Sequence, residues 1–150
     1  MKYLIIFTLS ILFFSCNNND PDNLAVVQLK DTFKKDLNDY KAIVFIPSQG
    51  CSGCINGIED FLINTYIPSK KDNLLFVITG YNSIKSVRVR LGNEVLDHED
   101  ILLDLQEVFN RPPFMIQYPK VLSIESGKYA ETIQIDPNSR DSVYEYLNSI

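Results

Sequence analysis

Two cysteines, Cys51 and Cys54, are the residues of this chain whose type and spacing most readily do chemistry. They lie in "IVFIPSQGCSGCINGI" (Ile43 to Ile58), where an apolar run ends at Pro47, a small polar turn follows, and a new apolar pattern begins. Such a pair can be a redox centre, half of a metal site, or a structural staple. As a staple it closes a loop of about four residues, which removes only about 2 kcal/mol of unfolded-chain entropy. A metal site needs about four ligands, or three and a water. The chain offers no second C-x-x-C and a lone His98, which sits in the charged stretch "LDHED" and reads as a solvated loop residue. Copper or zinc binding is retained as the alternative. The redox reading draws on position. The run before the turn is a buried-strand pattern, and Ile55, Ile58, Leu62 and Tyr66 after it follow a helical period. C-S-G-C therefore falls at a helix N-terminus, where unpaired N–H groups and the positive dipole end favour an anion. Cys51 is the predicted attacking thiolate and Cys54, one turn on and facing inward, the resolving thiol. Gly50, Ser52 and Gly53 keep the turn small, so another chain can approach the sulfur.

The elements that must position these residues follow from periodicity. Val26, Leu29, Phe33 and Leu37 recur at helical spacing from Leu24. "AIVFI" (Ala42 to Ile46) and "LLFVIT" (Leu74 to Thr79) read as strands buried on both faces. The helix after the cysteines is expected to end near Pro68. A third helix is capped by Asn82 or Ser83, carries Ile84, Val87 and Leu91 on one face, and stops at Gly92. Glu94 to Asn110 fits a short strand followed by a helical turn, without a period that decides. "KVLSIES", Gly127-Lys128 and "YAETIQI" form a hairpin, and "SRDSVYEYLNSI" a closing helix with Val143 and Leu147 inward. The expected architecture is α/β, one central mixed β-sheet with helices on both faces.

The N-terminus bears on compartment. Met1-Lys2 is followed by an uncharged apolar run, Tyr3 to Phe14, too short for a comfortable membrane span and suited to a signal-peptide core. Ser15-Cys16 at its end resembles the lipobox of bacterial lipoproteins, with Phe13 in place of the more usual Leu. That resemblance implies a signal peptide over residues 1–15, a lipid on Cys16, and a protein anchored to a membrane of the bacterial cell envelope, on its periplasmic or surface face. "NNNDPDN" then reads as part of a polar tether, residues 16–23, ahead of one domain over residues 24–150. With Cys16 assigned to lipid, Cys51 and Cys54 remain as a pair in an oxidising compartment. Removing Lys2 with the signal takes the net charge from −5 to −6. An acidic chain without a basic cluster argues against nucleic acid as a partner.

"AIVFIPSQGCSGCINGIEDFL" resembles the active-site segment of thioredoxin-like thiol–disulfide oxidoreductases. A second hallmark of that family is a cis-proline opening a later strand and facing the disulfide, and "IQYPKVLSIESGKYAETIQI" is similar to it, with Pro119 in that place. The resemblance spans Leu24 to Ile150. It implies a thioredoxin-like fold, catalytic Cys51 and Cys54, and a partner-binding groove shaped by Tyr118 and Pro119. It implies no cofactor beyond the redox-active pair itself. The implied partners are thiols and disulfides of other exported proteins, with electrons supplied by another redox protein. Several positions depart from the family pattern. The chain has no Trp and reads Pro47-Ser48-Gln49-Gly50 before the first Cys; Phe45 stands where many thioredoxins bury an acid; and Ser52-Gly53 replaces Gly-Pro. The peroxidase branch fits less well, since Ser48 matches its Thr or Ser but Val44 occupies the place of its Pro. Without the acid, slow resolution by Cys54 is expected. A non-catalytic binding module or metal carrier is the alternative.

Overall fold

Five strands form one mixed sheet in the computed structural model, which describes residues 20–69 and 71–150. The strands are β1 (Ala42–Pro47), β2 (Leu74–Thr79), β3 (Ile101–Asp104), β4 (Lys120–Glu125) and β5 (Lys128–Gln134), in the order β3-β2-β1-β4-β5. β1 pairs parallel with β2 and β2 with β3, while β4 runs antiparallel to both β1 and β5. Every residue of β1 and β2 is buried, as their unbroken apolar runs require.

The two faces of the sheet are covered differently. Ala42, Val44, Ile46, Leu74, Phe76 and Ile78 face α2 (Ser52–Phe61), α3 (Ile84–Leu91) and α4 (Arg140–Ser149). Ile43, Phe45, Leu75 and Val77 face α1 (Pro21–Asp31) and the segment after β3, through Phe109 and Ile116. The alternation is the strand period of two. Helices thus lie on both faces, as expected. Ser83 caps α3 by accepting the Ser86 N–H, Gly92 ends it, and Val143 and Leu147 are buried on α4. The hairpin turns at Ser126 and Gly127, whose positive φ values of 50° and 72° suit a two-residue turn.

Both ends of α1 differ from the sequence reading. α1 begins at Pro21, inside the stretch read as tether, because Asp20 accepts the Asp22 N–H (2.9 Å) and Pro21 needs no donor there. Asp22 is also held by Lys120 and by the Thr132 hydroxyl (2.6 Å). α1 ends at Asp31, short of Phe33 and Leu37; Leu37 is still buried and Phe33 still stacks on Phe109 (5.6 Å), but from a loop. The helix after the cysteines runs to the neighbourhood of Pro68, as expected: α2 continues past Phe61 through a π-helical turn, Leu62–Tyr66, and a further turn, Ile67–Ser69. In the undecided stretch, β3 is the strand and no regular helix comes after it before β4. The proposed signal segment (residues 1–15), Cys16 and the first part of the tether lie outside the described residues. Among those that are described, no helix is long and apolar enough to cross a membrane.

Candidate active site

β1 delivers the chain to the site. Its last residue is Pro47, and the turn Ser48-Gln49-Gly50 leads to Cys51, the N-cap of α2. Cys51 has extended backbone (φ −66°, ψ 95°), and its side chain makes no capping bond to the helix amides. Its sulfur is bonded instead to Cys54, with the two Cα atoms 5.3 Å apart. Cys51 is partly exposed, whereas Cys54 is 2% exposed. One sulfur is reachable and its partner is covered.

The turn is fastened on both sides. The Ser48 N–H donates to the Thr79 carbonyl (2.9 Å) and its hydroxyl to the Gly80 carbonyl (2.8 Å). The Cys51 N–H donates to the Gln117 carbonyl (3.2 Å). Gln117 belongs to residues 105–118, which run from β3 to Pro119 without a strand and end as a strap beside the cysteines. The strap is anchored by Asp104, 1% exposed, which accepts from the Thr79 hydroxyl (2.8 Å) and from the Val108 (2.9 Å) and Phe109 (2.8 Å) N–H groups. Phe109 then packs against Phe33, Phe45 and Phe114 at centroid distances of 5.1–5.6 Å.

Between the turn and the strap lies a groove of about 630 Å³ lined by Gln49, Gly50, Cys51, Asn110, Met115, Ile116, Gln117 and Tyr118. None of these is charged, so the groove is neutral on a chain of net charge −5. Met115 and Tyr118 are 57% and 38% exposed, an apolar lip beside the accessible sulfur. A second groove of about 340 Å³ shares residues 115–118 and reaches Lys120 and Gln134. A slightly larger cavity, about 680 Å³, surrounds Lys41, Ser123 and Tyr146 at the opposite end of β1, away from the cysteines.

Of the other residues expected at the site, Tyr118 lines the groove. Pro119 is buried behind it, immediately before β4, with its carbonyl accepting the Ile135 N–H (2.8 Å). The expected cis bond at Pro119 is not present: the Tyr118–Pro119 peptide is trans, and the cis peptide among the described residues is Pro112–Pro113. A trans bond suffices here because the residue before a proline already favours the extended backbone that enters a strand. Phe45 is fully buried against Phe109 and lies 5.7 Å from Lys120 Nζ, so this position brings no carboxylate to the pair. His98 is tied to Asp100, whose N–H it accepts at Nδ1 (3.3 Å), and its ring packs near Tyr66 (5.9 Å). Among the described residues no three His, Cys, Asp or Glu side chains converge as metal ligands.

Sequence reasoning missed a buried ion pair on α2. Glu59 is 5% exposed and takes a forked bond from Arg90 of α3 (2.7 and 3.0 Å), with Asn56 also accepting from that guanidinium. The Tyr81 hydroxyl adds a longer bond (3.3 Å); burial, then the Glu59 carboxylate, push its phenol up to about 12, so it remains a donor. This network ties the cysteine helix to α3 and to the loop that holds Ser48. Its one sequence signal was a carboxylate on the inward-turning part of an amphipathic helix.

No protein-family model and no curated protein sequence matches the chain. A solution structure of a "Putative Thioredoxin" from Neisseria meningitidis is 21% identical to it, over 76% of this chain and 76% of that one, with a TM-score of 0.45. The assignment of the fold rests on the chain's own topology: a mixed sheet in the order β3-β2-β1-β4-β5, a C-x-x-C disulfide where central β1 hands over to a helix, and a later hairpin closing one edge. The fold is thioredoxin-like.

Proposed function

We propose that the protein is a thiol–disulfide oxidoreductase of the cell envelope, anchored through a lipid on Cys16 and exchanging disulfides with other exported proteins. The observation that carries the exchange reading is the asymmetry of the pair: a reachable Cys51 at the N-cap of α2, bonded to a buried Cys54, beside an uncharged groove. When the pair is reduced, the Cys51 sulfur is free to accept from the amides of the first helical turn, the role an N-cap side chain plays, and its thiolate is favoured.

The exchange balances in two steps. The Cys51 thiolate attacks one sulfur of a partner disulfide; a Cys51–partner bond forms, the partner bond breaks, and the leaving sulfur departs as a thiolate that takes up a proton. Cys54 gives up its proton and attacks the Cys51 sulfur, re-forming the Cys51–Cys54 bond and releasing the second partner sulfur. Two electrons pass from the pair to the partner, and the same steps reversed oxidise a dithiol. Another redox protein then restores the pair. Tyr118 lines the groove that receives the partner's backbone, with Pro119 buried behind it immediately before β4. Burial disfavours ionisation of Cys54 and Phe45 supplies no acid to assist it, so the mixed disulfide is long-lived. Trapping that adduct with Cys54→Ser tests the proposal; a variant that forms none excludes it.

A further inference from the structure

We propose that Gly50 is a positioning residue: it lets the Gln117 carbonyl reach the Cys51 N–H, and that contact holds Cys51 in the N-cap backbone geometry from which its sulfur, once the disulfide is reduced, can reach the α2 amides. The inference rests on the exchange reading above and assigns a part of that site which the cysteines alone do not explain. Gly50 has φ +135°, a conformation that side-chain-bearing residues rarely adopt. A Cβ built on it overlaps the Gln117 carbonyl oxygen and lies 2.8 Å from the carbonyl carbon. That obstacle is backbone, so no rotamer change relieves it. Any larger residue at position 50 must push the strap away or rotate the turn, and either movement breaks the Cys51 N–H bond to Gln117 (3.2 Å).

The consequence falls on the sulfur rather than on the core. Gly50 is exposed and has no side chain, so replacing it removes no buried apolar area. The other end of the turn keeps its own fastening, Ser48 to Thr79 and Gly80. What changes is the orientation of Cys51, whose extended φ and ψ place it as the N-cap. Its freed thiolate then loses part of its hydrogen bonding to the first helical turn, and proton binding is favoured. The reduced pair becomes less stable relative to the disulfide.

The test compares Gly50→Ala with its parent, both carrying Cys54→Ser, by the pH dependence of Cys51 alkylation. The expected result is an upward shift of about one pH unit toward the ordinary thiol value near about 8.5, seen as an about tenfold slower reaction in mildly acidic buffer. With Cys54 intact, the equilibrium constant against glutathione moves about tenfold toward the disulfide, or about 30 mV. Gly92→Ala is the control. Gly92 also has positive φ (92°) but faces open space at the end of α3, so its replacement costs stability without moving either readout. If Gly50→Ala does not fold, amide exchange in the unaltered oxidised protein decides: the Cys51 N–H is expected to be protected at least about tenfold. Unprotected exchange overturns the inference. So does an alkylation profile identical to that of a parent whose Cys51 is acidic, and the exchange reading then stands. A parent Cys51 that already titrates like an ordinary thiol removes both.

Discussion

Replacing Asp104 should unfasten the strap that forms one wall of the groove. In Asp104→Ala three bonds to a carboxylate disappear at a position 1% exposed. The Phe109 N–H is left in the core without an acceptor, which costs about 2 kcal/mol. The Thr79 hydroxyl, fully buried at the end of β2, loses its acceptor at a cost of about 1 kcal/mol. Val108 is partly exposed and finds water, which limits its share to about 0.5 kcal/mol. The sum, about 3–4 kcal/mol, is a large part of the about 5–15 kcal/mol that holds a domain together. Asp104→Asn keeps an acceptor for one N–H and should cost about half as much. Urea unfolding of the disulfide-intact variants, read as a midpoint shift at constant slope, gives both numbers. A loss below about 1 kcal/mol for the alanine variant would refute the idea that this carboxylate anchors residues 105–118.

Arg90→Met leaves Glu59 buried and unpaired; because Arg90 is itself 46% exposed, the loss should be about 2 kcal/mol rather than the larger figure for a fully buried pair, and Glu59→Gln added to it should restore part of it in urea unfolding. Burial, reinforced by Asp100, holds Tyr40 and Tyr66 protonated above the ordinary phenol range, and burial with Glu59 pushes Tyr81 up to about 12. These are raised values on groups neutral when protonated, so the stability they carry is complete below about pH 10 and is lost as pH climbs through about 12. The urea midpoint should therefore hold up to about pH 10 and fall between about pH 10 and about pH 12, and Tyr81→Phe should flatten part of that fall.

The central strands and the cysteine turn were legible because each is decided locally. β1 and β2 are uninterrupted apolar runs that can only be buried on both faces, and the switch to a helical period after Cys54 places the pair at a helix terminus. The hairpin was legible from Gly127. The stretch between Gly92 and Pro119 was not, because β3 is half-buried at a sheet edge and the strap after it has no repeating pattern. Its shape comes from contacts made far along the chain: Asp104 with Thr79, Phe109 with Phe33 and Phe45, Gln117 with Cys51. The end of α1 was hidden for a related reason. Phe33 and Leu37 keep a helical spacing although Lys34 turns the chain at positive φ, and both still reach the core. At Pro119 the sequence order of the motif was right, but order alone does not set the isomer of the peptide bond before it.

The measurement closest to the central claim is the reactivity of Cys51 in the reduced Cys54→Ser protein, followed by thiolate titration and by incubation with a disulfide-bonded exported protein. An active exchange centre predicts a thiolate formed well below the ordinary thiol value of about 8.5 and a covalent adduct through Cys51 that survives until reductant is added. A Cys51 that titrates normally and forms no adduct contradicts it.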